Sequence, residues 1–145
     1  MKYSLITETS PQLLDLACLI LRLFIGVCFV VHGLGKLGIV GQGNMAGFTN
    51  WLKSLGVPMA AAQARLAMAC EIGGGILITL GLFTRIGCLL CLATMLVAAL
   101  IGHKGGGYLI TNSPPGNEYT INLAAVLAAM ILLGPGIYSL DAALF

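Results

Sequence analysis

Charge is the scarcest commodity in this sequence. Only seven of its 145 residues are Lys or Arg and five are Asp or Glu, 8% of the chain, against 59% hydrophobic residues. Mean hydropathy is +1.01. A soluble domain of this length needs far more polar surface to stay dissolved, so a water-soluble globule is excluded and a membrane protein expected. The net charge of +2 is not gathered into any basic patch, which removes nucleic acid as a partner. The five cysteines (Cys18, Cys28, Cys70, Cys88 and Cys91) all lie inside hydrophobic runs and none in a connecting loop. That is not the framework of a secreted, disulfide-stapled fold. The opening "MKYSLITETSPQLLD" lacks the basic region and small-residue cleavage site of a signal peptide, so the first hydrophobic run is expected to be retained. Strand alternation, internal repeats, nucleotide loops, nucleophile elbows and zinc motifs are missing.

What remains is four apolar windows: Leu13–Gly33, Ala64–Phe83, Ile86–Ile101 and Tyr119–Leu133. Crossing the hydrocarbon core takes ~20 helical residues. The last two windows are slightly short, so they are expected to run on into the interface. Backbone groups in lipid must satisfy one another, so these windows are read as helices. The expected fold class is an all-α membrane protein, a four-transmembrane-helix bundle forming one integral membrane domain over residues 1–145. Glycines in "EIGGGILITLGL" suit close helix packing. Thr84 and Arg85 are read as a tight hairpin between spans two and three. An even number of spans puts both termini on one side and both long connections on the other. In the first connection, Phe48, Trp51, Leu52 and Leu55 fall at i, i+3, i+4 and i+7, and Gly56 and Pro58 stop the pattern. This predicts a short amphipathic helix at the bilayer surface. The positive-inside rule leaves orientation open.

The few ionisable residues concentrate by depth. His32 and Lys36 end span one on the loop side, Glu71 lies about two turns into span two from that side, and His103 follows span three. Glu118 opens span four, with Asn122 one turn deeper. All four spans thus contribute to one polar end. Arg22 lies deeper, on a stripe with Gly26, Phe29, Gly33 and Lys36. A guanidinium at mid-bilayer costs roughly 2.5–3.5 kcal/mol, so it should face inward toward an anion. Glu71 is the one carboxylate at comparable depth, and an Arg22–Glu71 ion pair is expected. Such a pair serves register or function equally well; the wider cluster favours function. His32 and His103 share an end, but nothing else supports metal or haem ligation, and hydrogen bonding or proton handling is the commoner role. "CLLC", Cys88 to Cys91, lies within a helix, where packing outweighs redox chemistry.

The stretches "LRLFIGVCFVVHGLGKL", "LGVP", "CEIGGGILITLGLFTR" and "EYTINLAAVLAAMILLGPGIYSLDAAL" resemble the DoxX family of small four-span membrane proteins along essentially the whole chain. Carried over by position, the family's polar residues are Arg22, His32, Lys36, Glu71, Arg85, His103 and Glu118; between His103 and Glu118 the match is looser. The resemblance implies a multi-pass protein of the bacterial inner membrane. It also implies association with membrane redox and thiol-stress systems, the family being named for a subunit of a thiosulfate:quinone oxidoreductase. Related four-span proteins act in assembly. The leading expectation is a redox-associated, quinone-linked subunit. In it His32 and Glu118 handle protons, and Arg22 and Lys36 bind a carbonyl or anionic oxygen. Glu71 orients Arg22, and His103 and Asn122 complete the binding set. Expected partners are membrane lipid, a quinone-like amphiphile, a protein of a redox complex and further copies of the chain. Quinone is the expected cofactor ahead of haem, and no metal is expected. The competing expectation is a non-enzymatic assembly or partner-binding protein; a small-solute carrier ranks third.

Overall fold

The computed structural model describes residues 9–145 and is helical, with no strand among the described residues. Helix α1 spans Pro11–Leu37. Ser10 caps it, its hydroxyl accepting from the Leu13 N–H, Pro11 occupies the first turn where no N–H is needed, and Gly38 ends it in the left-handed region at φ 78°. Helix α2 is Met45–Ser54, capped by Asn44. Helix α3 is Ala60–Leu80. Helix α4 is Thr84–Val97 and continues as a π-helical turn over Ala98–Gly102. Helix α5 is Glu118–Leu133 and α6 is Leu140–Leu144. The first, α3 and the extended α4 are long and apolar enough to cross a membrane; α5 is a shorter apolar helix of 16 residues. The α3–α4 turn is Gly81–Phe83, and the expected hairpin residues Thr84 and Arg85 instead open α4. Asp141 fixes that start by accepting hydrogen bonds from the Phe83 and Thr84 N–H groups.

The helices turn large apolar side chains outward. Phe24 is 74% exposed and Leu132 83%, with Leu16, Ile20, Val27, Leu89 and Leu100 also exposed. A surface like this belongs against acyl chains. The interior is built from Phe29 of α1, Ile78 of α3, Cys88, Cys91 and Met95 of α4, and Ala124, Leu127 and Met130 of α5. Glycine sets the close contacts. A Cβ on Gly75 would lie 2.7 Å from the Gly26 carbonyl, and one on Gly26 2.7 Å from the Gly75 carbonyl. One position earlier, Gly74 and Gly87 block each other in the same reciprocal way at 2.9 and 2.8 Å. Adjacent glycines of α3 thus seat α1 on one side and α4 on the other, the small-residue packing that bilayers favour. All five cysteines are free. Cys88 and Cys91 are fully buried and act as small apolar filling.

Candidate functional site

The antiparallel register of α1 and α3 decides which charges meet. Gly26 lies against Gly75 and Thr79, Gly33 against Ile72, and Arg22 against Gly81. Glu71 is therefore level with the loop-side end of α1, where Lys36 reaches it. The Lys36 Nζ to Glu71 Oε2 distance is 2.5 Å, with side chains 18% and 5% exposed. Lys36 also sits over the Phe48 ring, 5.0 Å from its centroid, which draws the amphipathic helix α2 onto the bundle. Trp51 stacks beside Phe48, and its ring lies where a Cβ on Gly102 would be, 2.8 Å away. Helix α2 is thus tied to α1 and to the end of α4.

The expected Arg22–Glu71 pair does not form. The two lie eleven α1 positions apart in register, roughly 16 Å at 1.5 Å per residue. Hydropathy windows place the middle of a span but not its offset from a neighbour, and α1 runs past both edges of its window. Arg22 is buried inward as expected, at 1% exposure, but at the termini end of the bundle. Its guanidinium donates to the Tyr138 carbonyl, packs against Gly81 (φ +67°) and leaves Nε and Nη1 without partners among the described residues. The C-terminal segment closes over it. Asp141 accepts from the Phe83 N–H at 2.6 Å, the Thr84 N–H at 2.9 Å and the Thr84 hydroxyl at 2.8 Å. The Ile137 N–H donates to Asp15 at 3.0 Å. Burial pushes the Asp141 carboxyl up, but the bonds from Thr84 and Phe83, with the charge of Arg22, outweigh it and hold the group below its ordinary range.

At the loop end, His32 Nε2 is 2.6 Å from the Tyr119 hydroxyl, which is in turn 3.2 Å from Cys28 Sγ. Tyr119 and Cys28 were not among the expected site residues. A tyrosine at a span end is an ordinary interfacial residue, so the sequence carried no distinguishing signal. His32 and Lys36 line one open groove of about 680 Å³ with Gly35, Val40 and the 41–44 turn, and Phe48 and Trp51 form its aromatic wall. The remaining expected site residues stand apart from it. The His103 Nδ1 is bonded to the Pro115 carbonyl at 3.1 Å. Glu118 accepts from the Ile110 N–H at 3.1 Å and so folds the 103–117 loop. Asn122 is exposed on α5. None of these, nor Arg22, lines the groove. No group of three or more His, Cys, Asp or Glu side chains able to hold a metal ion occurs among the described residues.

Comparison with known proteins agrees with this architecture. The chain is 30% identical over 128 residues to "Inner membrane protein YphA" of Escherichia coli, covering 85% of this chain and 86% of that protein. It is 28% identical over 130 residues to "Inner membrane protein YqjF" of the same organism, covering 90% and 93%. It is 38% identical over 90 residues to "Putative oxidoreductase CatD" of Bacillus subtilis, covering 62% and 61%. No solved structure matches it significantly. A multi-pass protein of the bacterial inner membrane fits both the relatives and the apolar helices. The family model DoxX matches residues 17–104, and the chain belongs to the DoxX family.

Proposed function

We propose that the loop-end groove binds the head of a quinone-type amphiphile and that the chain serves as the quinone-binding subunit of a membrane redox system. The observation that carries this reading is the shared lining: His32 and Lys36, from one face of α1, meet the Phe48 and Trp51 rings in a groove of about 680 Å³. That volume suits a cofactor-sized head, and such sites pair apolar walls with a few placed polar groups. A quinone ring fits between aromatic walls, and its carbonyl oxygens need donors, which an imidazole N–H and an ammonium supply. Exposed apolar faces of α1 adjoin the groove, leaving lipid as the route for an isoprenoid tail. A bound quinone supplies two-electron chemistry, with electrons from a partner subunit. His32, bonded to Tyr119, is the group placed to pass a proton. Lys36, held by Glu71, keeps a positive charge beside the ring oxygen. The relative named an oxidoreductase supports redox association.

The test is mass spectrometry of co-purified lipids from protein extracted in native membrane discs, followed by titration with a short-tail quinone. The expected result is bound quinone, with affinity reduced roughly tenfold or more in His32→Leu and Trp51→Ala and unchanged in Lys53→Met. Absence of quinone together with a stoichiometric co-purifying membrane protein would instead establish an assembly or partner-binding role.

A further inference from the structure

We infer that Tyr119 fixes the tautomer of His32, and that the groove is consequently a donor site selective for the oxidised, carbonyl-bearing head of its ligand over the hydroquinone. The preference for a quinone rests on the function proposed above; the tautomer does not.

Three side chains from two helices form one hydrogen-bonded chain: Cys28 Sγ, the Tyr119 hydroxyl and His32 Nε2, with separations of 3.2 and 2.6 Å. The phenol has a single proton and must give it to one neighbour. Imidazole nitrogen is a strong acceptor and thiol sulfur a weak one. The shorter contact is also the one to nitrogen. The proton therefore points from Tyr119 to His32, and the thiol, a weak donor, points its proton at the phenol oxygen. The reverse direction gives an Nε2–H···O bond and an O–H···S contact instead; phenol is a stronger acid than neutral imidazole and imidazole nitrogen a stronger base than phenol oxygen, so the O–H···N arrangement is the better of the two. With Nε2 accepting, neutral His32 carries its proton on Nδ1. That nitrogen makes no hydrogen bond among the described residues, and the ring lines the groove. Nδ1–H is then the imidazole atom left to meet a ligand.

The second polar anchor has the same sign. Lys36 has three donors and no acceptor, and Glu71 takes one of them. Glu71 is 4% exposed and does not line the groove, so its carboxylate is not offered to a ligand. Asn44 Oδ1 already accepts from the Gly47 N–H at 2.7 Å. The Gln42 amide, on the outer turn of the groove, presents both a donor and an acceptor. The two anchors on α1 therefore offer N–H groups only. A quinone carbonyl accepts from both. A hydroquinone O–H brings its own proton against them and must turn it away, losing one well-formed bond. The neutral hydrogen bond at stake corresponds to a discrimination of roughly threefold to tenfold. Tyr119 touches neither the ligand nor the reacting atoms in this scheme; it is a positioning residue.

The experiment is nitrogen-15 NMR of the full chain, labelled at histidine, in lipid nanodiscs near pH 8, with His103→Gln used to assign the two imidazoles. The expected spectrum shows His32 protonated at Nδ1 and bare at Nε2. Tyr119→Phe, checked for folding by its helical circular dichroism, is expected to return His32 toward the Nε2–H form that free imidazole side chains favour. In parallel, a short-tail quinone and its hydroquinone are titrated anaerobically into both proteins. The wild type is expected to prefer the quinone by several-fold and Tyr119→Phe to lose most of that preference. A wild-type spectrum with the proton on Nε2 overturns the positioning role and needs no variant to do so. A correct tautomer with equal affinity for both ligand forms overturns the selectivity. If neither form binds, the proposed function falls and the selectivity with it, while the spectrum still decides the tautomer.

Discussion

Two double-mutant cycles sharing one residue separate the pairing seen here from the pairing the sequence suggests. In the first, Lys36 and Glu71 are each replaced by Met, singly and together. Glu71 is almost fully buried and Lys36 mostly so, at 2.5 Å separation. Removing one partner strands the other charge in an apolar interior, which costs about 3–5 kcal/mol. Removing both strands nothing and leaves two flexible apolar side chains of similar volume, so the double variant should recover to within about 1–2 kcal/mol of wild type. The coupling is then at least about 4 kcal/mol. In the second cycle, Arg22→Met is combined with Glu71→Met. These side chains are roughly 16 Å apart along the helix axis and share no partner, so their effects should add within about 0.5 kcal/mol. The assay is loss of helical circular dichroism on titrating denaturing detergent into protein held in a mild one. Additivity at Lys36–Glu71, or coupling above about 1 kcal/mol at Arg22–Glu71, would refute the register from which the site is built.

The glycine run of α3 offers an internal control. A Cβ on Gly73 meets nothing within 4 Å, whereas on Gly74 or Gly75 it meets a backbone carbonyl at 2.9 or 2.7 Å. In the same unfolding assay Gly73→Ala is expected to be neutral or mildly stabilising, and Gly74→Ala and Gly75→Ala to cost about 1–3 kcal/mol each. Asp141 should confer acid sensitivity. Its folded-state pKa is lowered, so its contribution is fully present above the ordinary carboxylate value and is lost as pH falls through the depressed one. Thermal stability of the wild type should drop below about pH 4, and Asp141→Ala should start lower and lose that part of the pH dependence. A parallel pH profile in both proteins would show that Asp141 does not hold the α4 start.

The inward stripe of α1 was legible because burial in a helix follows the 3.6-residue period and residue size. Arg22, Gly26, Phe29 and Gly33 are the buried residues from the middle of that helix onward, as the spacing implies. The surface helix was legible for the same reason, through Phe48 and Trp51. The partner of Glu71 was not. Which of two cations it meets depends on how far one helix slides along the other. That offset is set by glycine pairs such as Gly26–Gly75, which hydropathy cannot align. Glu118 and Asn122 stand outside the groove through a subtler effect. Proximity to the loop end says nothing of azimuth, and one position separates Glu118, turned into its own loop, from Tyr119, turned to α1.

Arg22 and Lys36, the two cations on the inward stripe of α1, are held in opposite ways. At the termini end, the bonds made by Arg22, Asp15, Asp141 and Thr84 run to the chain itself, and the Nε and Nη1 that Arg22 leaves without partners among the described residues are sealed from any ligand. Arg22 is enclosed, so its charge is committed to docking the last twelve residues onto the bundle. At the loop end the polar bonds are incomplete by design of the geometry: Lys36 retains donors beyond the one given to Glu71, and His32 retains a ring nitrogen beyond the one given to Tyr119. Both face an open, aromatic-walled groove. The difference is access: Arg22 is almost completely buried, whereas His32 is exposed and Lys36 partly so. Spare donors meet an accessible groove only at the loop end, and this is what supports reading that end, rather than the enclosed surroundings of Arg22, as the place for a ligand.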